Sequence, residues 1–243
     1  MSRPAGRALR SLLFTPGDQP RKLAKVGSFG ADGFVLDLED AVAESAKDAA
    51  RGTVAAALPT YAPGPMVLVR VNGVQTGRCE DDMLAVVVER LDGIMAPKVE
   101  DAAALHRLDA LLTVLERARG LPSGRVRLLP TIETAVGLTA CEQIAAAAPA
   151  RVITLQLGPA DLAVDLTVDL TVDARELLYA RSQLVAAARA GGLEPAVDGA
   201  YFELQNLEGL IADSVRSREL GFQGRCVIYP PHVEPVQQVY GAG

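Results

Sequence analysis

Two carboxylates, Glu133 and Asp161, occupy positions where they could do chemistry together. Glu133 closes the apolar run Arg127-Leu-Leu-Pro-Thr-Ile132, and Asp161 follows a second run, Arg151-Val-Ile-Thr-Leu-Gln-Leu-Gly158, by three residues. Each run has the length and apolarity of a buried strand. If the strands are parallel neighbours, their acids converge on one end of a sheet. Two acids meeting there repel unless a cation lies between them. A hard ion such as Mg2+ suits one or two carboxylates completed by waters and substrate oxygens.

The elements that must position this pair repeat along the chain. Apolar strands are predicted at 10–15, 33–37, 66–73, 93–98, 127–132, 151–158, 193–199 and 225–230, the seventh being the weakest. Helical patterns separate them: one capped by Asp18 and running through Lys25, then 41–58, 83–91, 101–120, an alanine-rich run after Gly137, 173–190 and 204–220. Strands alternating with helices, without a domain break, predict a single-domain (β/α)8 TIM barrel over residues 1–243. A doubly wound open sheet would need a glycine-rich phosphate loop after its first strand, and the chain has none.

The barrel gives the other charged residues a place. Asp37, Glu39, Asp40, Arg70, Lys98, Glu133, Asp161 and Asp198 all fall at or just after predicted strand C-termini, the end of a TIM barrel that carries chemistry. Asp37 and Glu39 share a side of an ideal strand, so with Asp40 they can orient Arg70 or a metal-bound water, or else serve as a helix cap and rim ion pairs. Arg70 can contact substrate or pair with Asp37 or Asp40. Lys98 can neutralise a substrate carboxylate or Asp40, and Arg10 can meet a substrate carboxylate at the barrel mouth or form a salt bridge. Lys22 and Lys25 can touch phosphates or, as exposed helix lysines usually do, simply be solvated. The four-residue spacing of Asp161, Asp165, Asp169 and Asp173 would make a repelling stripe on a helix. Their valine and threonine neighbours favour a loop after Asp161 instead.

Composition excludes several classes. A net charge of −6 without a basic block argues against a nucleic-acid binder, and 4% aromatics without tryptophan argue against stacking platforms. Three scattered cysteines without a CxxC pair fit a reduced, cytoplasmic protein, and no stretch approaches a membrane span. Only His106 and His232 are present, too few for a histidine-rich zinc site.

The strand-end segments, taken in series, carry a resemblance. They are Arg10-Ser-Leu-Leu-Phe-Thr-Pro-Gly17, Asp37-Leu-Glu-Asp-Ala-Val42, Val69-Arg-Val-Asn-Gly73, Pro97-Lys98, Ile132-Glu-Thr134, Gly158-Pro-Ala-Asp-Leu162, Asp198-Gly199 and Gly221-Phe-Gln-Gly224. In this order they resemble the citrate lyase beta-subunit-like family of the HpcH/HpaI aldolase superfamily. The resemblance implies a Mg2+-dependent barrel that cleaves or forms a carbon–carbon bond between a coenzyme A thioester and an oxo acid. It implies Glu133 and Asp161 as Mg2+ ligands and Arg70 as a substrate-binding arginine. Arg70, Glu133, Asp37 and Asp40 form the expected catalytic set; Arg70, Glu133, Arg10 and Lys98 are expected to bind substrate. A homo-oligomer, a trimer, is expected by resemblance alone.

The chain also departs from the family pattern. Many relatives carry Gly-Lys-x-x-Ile-His-Pro after the Gly-Phe-x-Gly turn; here Arg225 and Tyr229 stand at the Lys and His places, with His232 three residues later. Longer relatives add a C-terminal segment that closes over the site and brings an acidic residue, so the expected domain is a barrel lacking that lid. The leading expectation is a lyase acting on a citryl- or malyl-coenzyme A-like 3-hydroxy-acyl thioester. The alternatives are a coenzyme-free aldolase on small oxo acids and a non-catalytic barrel that binds metal and ligand.

Overall fold

The computed structural model describes residues 8–241. Eight parallel strands close into a barrel in sequence order, β1 pairing with both β2 and β8. They are β1 (Ser11–Pro16), β2 (Gly33–Asp37), β3 (Met66–Arg70), β4 (Gly93–Ala96), β5 (Arg127–Ile132), β6 (Gln156–Leu157), β7 (Val197–Asp198) and β8 (Gly224–Val227). Helices α1 (Pro20–Leu23), α2 (Lys47–Ala57), α3 (Cys79–Val86), α4 (Ala102–Ala118) and α5 (Ala135–Ala146) follow the first five strands in turn. Then come α6 (Pro159–Leu166), α7 (Leu178–Ala190), α8 (Leu207–Leu220) and α9 (Val233–Gly241). No helix among the described residues is long and apolar enough to cross a membrane.

Strand periodicity divides the apolar residues into two cores. Leu12, Val35, Leu68, Met95, Leu129, Val197 and Cys226 fill the barrel interior. Their chain neighbours, such as Leu13, Leu36, Val69, Leu128 and Val227, pack outward under the helices. The same alternation fixes the charged residues. On β5, inward Leu129 is followed two and four residues on by Thr131 and Glu133, which line a cavity at the C-terminal end.

Several element boundaries differ from those expected. The helix expected from residue 41 begins at Lys47, after a 3-10 turn, because the intervening backbone is held by side chains. Ala41 N–H donates to Asp37, and Lys47 Nζ donates to the carbonyls of Leu38 and Glu39. The first helix is only α1, with Gln19 rather than Asp18 at its N-cap, and a 3-10 turn follows it. The loop expected after Asp161 is helical through Leu166, so Asp161 and Asp165 lie on α6. Their repulsion is relieved from outside the helix, where Asp165 accepts the Ala135 N–H at the start of α5 at 2.6 Å. β6 and β7 are short, and α9 was not foreseen.

Candidate active site

β5 delivers Glu133 directly into the N-terminus of α5. The next residue, Thr134, caps that helix by accepting the Gly137 N–H at 3.0 Å. Gly137 is needed there, since a Cβ would fall 2.5 Å from the Val99 carbonyl. Gly158 and Pro159 turn β6 into α6, which carries Asp161 in its first turn and has no side-chain cap. A cavity of about 200 Å3 lies between these two strand ends. Asp40, Arg70, Glu133 and Asp161 border it, as does Gln156, which accepts a hydrogen bond from Thr131 Oγ1 at 2.7 Å.

Arg70 comes from the end of β3, directly beside Asp37 in the β2–β3 register. Its Nε and Nη2 donate to the two Asp37 oxygens at 2.7 and 2.6 Å, a bidentate fork. Asp37 is almost fully buried, and its oxygens also accept the Glu39 and Ala41 N–H groups. Arg70 Nη1 lies 3.2 Å from Glu39 and 3.6 Å from Asp40. Burial alone would lower the Arg70 pKa, but the hydrogen bond and charge of Asp37, then Glu39 and Asp40, raise it. Its cation is therefore permanent.

Lys98 ties the two halves of the site together. Its backbone N–H donates to Glu133 Oε1 at 2.8 Å, and its Nζ donates to Glu39 at 2.8 Å. The same ammonium lies 3.7 Å from Asp40 and 3.9 Å from Asp161. Burial would depress the Lys98 pKa, but these partners, Glu39 first, raise it.

The acids remain only partly compensated. Burial, reinforced by the charges of Glu39 and Asp161, pushes the Glu133 carboxyl up to about 8. Burial also raises Glu39, whose Oε2 is enclosed without a hydrogen-bond partner. Extra positive charge at Glu133 and Asp161 would relieve both, so the donor set fits a divalent cation. No group of three His, Cys, Asp or Glu able to hold a metal occurs among the described residues. A cation here would take two carboxylates and complete its shell with water and substrate oxygens, the mode suited to Mg2+.

Arg10, expected at the mouth, and Asp198, expected at a strand C-terminus, both lie away from the cavity. Arg10 precedes β1 and so sits at the N-terminal face, ion-paired with Asp32 at 2.8 Å rather than at the mouth. Asp198 turns outward from β7, because inward Val197 precedes it, and pairs with Arg181 on α7 at 2.9 Å. A larger concavity, about 950 Å3, also lies at the N-terminal face. Arg90 and Arg125 in it are spent on loop carbonyls and Asp92, which leaves the smaller cavity as the candidate site.

Sequence relationships agree with this geometry. The model of the HpcH/HpaI aldolase/citrate lyase family matches residues 10–230. The chain belongs to that family. It is 38% identical over 235 residues to the citrate lyase subunit beta of Leuconostoc mesenteroides subsp. cremoris, covering 96% of this chain and 77% of the relative. It is 36% identical over 258 residues to an L-malyl-CoA/beta-methylmalyl-CoA lyase of Cereibacter sphaeroides, covering 98% and 80%. The structure of CitE from Mycobacterium tuberculosis in complex with magnesium, acetoacetate and coenzyme A superposes with a TM-score of 0.77. That match has 28% identity and covers 97% of this chain and 82% of that one.

The departures from the HpcH/HpaI pattern resolve structurally. Arg225 keeps its charge but not at the cavity: it flanks inward Cys226 and therefore points out, donating to Asp213 at 3.0 Å and Ser214 at 2.9 Å. Arg181 joins the same buried cluster, and the two guanidiniums outweigh burial to hold Asp213 down at about 2. His232 does not restore the missing imidazole, since it is buried with Nε2 2.9 Å from the Leu204 carbonyl. The residues lining the cavity that the sequence reading passed over include Phe14, Thr131, Gln156, Phe202, Cys226 and Ile228. Thr131 and Gln156 carried a signal, as polar residues inside apolar strands; the apolar members carried none.

Proposed function

We propose that this protein is a Mg2+-dependent carbon–carbon lyase that cleaves a 3-hydroxy-acyl coenzyme A thioester into an acyl thioester and an oxo acid. The observation that carries the reading is the meeting of Glu133, Asp161 and Arg70 at one small cavity on the C-terminal end of the barrel. In the reaction the hydroxyl loses its proton, the bond between the second and third carbons breaks, and its electron pair passes into a thioester enolate. A proton then returns to carbon.

Glu133 and Asp161 would hold the cation, which when bound supplies Lewis-acid polarisation of the oxo-acid carbonyl. Lys98 fixes one Glu133 oxygen through its backbone N–H. The uncapped first turn of α6 borders the cavity and offers backbone N–H groups to a substrate carboxylate. Arg70 keeps donors on Nη1 and Nη2 beyond its Asp37 fork, and these suit the developing enolate oxygen. Asp37 acts through Arg70, because both its oxygens are already spent. Asp40, half-exposed at the mouth, shares Arg70 and Lys98 and is the second-strand acid that reaches the cavity.

The test follows cleavage of citryl- and malyl-coenzyme A with Mg2+ and with EDTA, using wild type and Glu133→Gln. Cleavage that needs both the metal and Glu133 supports the lyase. Turnover that persists in EDTA sinks the metal-assisted mechanism. A folded protein that cleaves neither thioester points to a coenzyme-free aldolase or to a barrel that binds without turnover.

A further inference from the structure

Asp165 occupies a position that helix energetics disfavours. It lies in the last turn of α6, where the carbonyl end of the helix dipole repels an acid. It also stands four residues after Asp161 on the same helix face, so the two like charges repel. α6 contains no basic residue to offset either effect.

The offset comes from α5. Asp165 Oδ2 accepts the Ala135 N–H at 2.6 Å, a short charge-assisted bond. Ala135 is the first residue of α5, so its N–H is one that the helix cannot pair for itself, and the positive end of the α5 dipole meets the carboxylate. Thr134 caps the same helix at the Gly137 N–H. Asp165 takes an amide that this cap leaves open.

The place of the bond connects it to the cation site. Ala135 is two residues beyond Glu133, and Asp165 is about one helical turn beyond Asp161. The start of α6 is held separately. There the Gly158 N–H donates to the Ile132 carbonyl at 3.0 Å, and Gly158 sits so close to Glu133 that a Cβ would fall 2.3 Å from Oε2. One contact fixes the start of α6 against the end of β5, the other fixes its last turn against the start of α5, and Asp161 lies between them. Packing holds the rest of α6 lightly. Pro159, Leu162 and Ala163 are its buried residues, while Val164 is 78% exposed. Beyond Leu166 the chain turns left-handed at Thr167 and leaves the helix. Among the described residues no other hydrogen bond joins α6 to α5.

Resting on the assignment of Glu133 and Asp161 as the cation ligands, we infer that Asp165 is a positioning residue that sets the separation of those two carboxylates. Asp165 does not line the cavity. It acts by holding the helix that carries Asp161 to the backbone that follows Glu133.

Asp165→Ala and Asp165→Asn are compared with the wild type by calorimetric titration of Mg2+ and by thermal unfolding in EDTA. Alanine removes both the acceptor and the charge, whereas asparagine keeps an acceptor oxygen at the same reach. Asp165→Ala is expected to bind Mg2+ at least tenfold more weakly, on the scale of losing an outer partner of a metal ligand. Asp165→Asn is expected to recover most of that loss. Equal losses in both variants, shrinking at high salt, would assign the effect to the charge of Asp165 and overturn the inference. A lowered unfolding midpoint with unchanged Mg2+ affinity would reduce Asp165 to a cap of α5 and overturn it too. Wild type and Asp165→Ala that bind Mg2+ equally well sink this inference and leave the lyase reading standing. A wild type that binds no Mg2+ sinks both. Because the titration contains no thioester, a protein that cleaves none can still pass it.

Discussion

Lys98 holds Glu133 from a left-handed backbone. At φ 51° its N–H reaches Glu133 Oε1 at 2.8 Å, while its side chain crosses to Glu39. A non-glycine residue in this region costs roughly 1 kcal/mol, a strain that persists only where surrounding contacts over-determine it. The two functions of Lys98 can be separated by substitution. Lys98→Gly relieves the backbone and keeps the N–H, so its thermal midpoint should match or exceed that of Lys98→Met. Both lose the ammonium between Glu39, Asp40 and Asp161, so both should lose turnover, roughly tenfold or more on the scale of one electrostatic contact. Full activity in Lys98→Gly would confine Lys98 to a backbone role.

Glu133 links stability to pH in the opposite direction from a salt-bridged acid. Its carboxyl is raised in the folded state to about 8, above the ordinary value of 4.5. The folded protein therefore binds this proton more tightly than the unfolded chain. Below the ordinary value both states are protonated and the group costs nothing. As pH rises to about 8 the penalty grows, by about 1.4 kcal/mol per unit. In EDTA, Glu133→Gln should raise the unfolding midpoint at pH 9 and change it little at pH 5. In Mg2+ at pH 9 the gap should narrow, since ligand binding stabilises only the protein that retains its carboxylate. Equal midpoints under all these conditions would show that Glu133 neither carries a buried charge cost nor binds the ion.

The site was legible in the sequence wherever a charge interrupted an apolar strand at its C-terminal end. Arg70, Glu133 and the Asp37 cluster were visible for that reason, and their meeting followed once the strands closed into a barrel. Arg10 failed the same test because it precedes its strand, which sends it to the opposite face. Asp198 ends a strand only two residues long, too short to display the alternation that turns it outward. Its partners Arg181 and, through Arg181, Asp213 come from later or earlier helices, so their cluster had no local signature. Local propensity was overridden at α6, where Pro159 starts the helix and Asp165 is satisfied by the backbone of α5. The apolar cavity wall could not be read at all, because a Phe or Ile facing substrate has the same sequence pattern as one facing core.

Arg70 is predicted to be irreplaceable by lysine. A lysine ammonium cannot span both Asp37 oxygens, which Arg70 engages at 2.7 and 2.6 Å, and still offer donors to the cavity. Arg70→Lys should fold and lose on the order of 100- to 1,000-fold in kcat, the usual effect of removing an oxyanion donor. Asp37→Asn should instead cost stability, on the order of 3 kcal/mol for breaking a buried pair, along with activity through a misplaced guanidinium. Denaturant unfolding separates the two variants. An unfolding midpoint unchanged in Asp37→Asn would mean that Glu39 and Asp40 suffice to hold Arg70.

Gly158 is the position where a single methyl group should disable the cation site without replacing a ligand. A Cβ there would lie 2.3 Å from Glu133 Oε2, 2.6 Å from Glu133 Cβ and 3.0 Å from the Thr131 methyl. Its φ of −101° is open to any residue, so alanine brings no backbone strain. The whole cost falls on side-chain contact. Glu133 cannot swing freely, since Lys98 holds its other oxygen and β5 fixes its backbone. Gly158→Ala should therefore displace Oε2 by more than half an ångström, or about the tolerance of a preorganised site. Mg2+ affinity, measured by calorimetry, should fall at least tenfold while far-UV circular dichroism stays unchanged. Because Asp161 follows on α6, any shift of that helix start would add to the loss. Wild-type Mg2+ affinity in Gly158→Ala would mean that Glu133 Oε2 is not a metal-binding oxygen, and the assignment of Glu133 would have to rest on Oε1 alone.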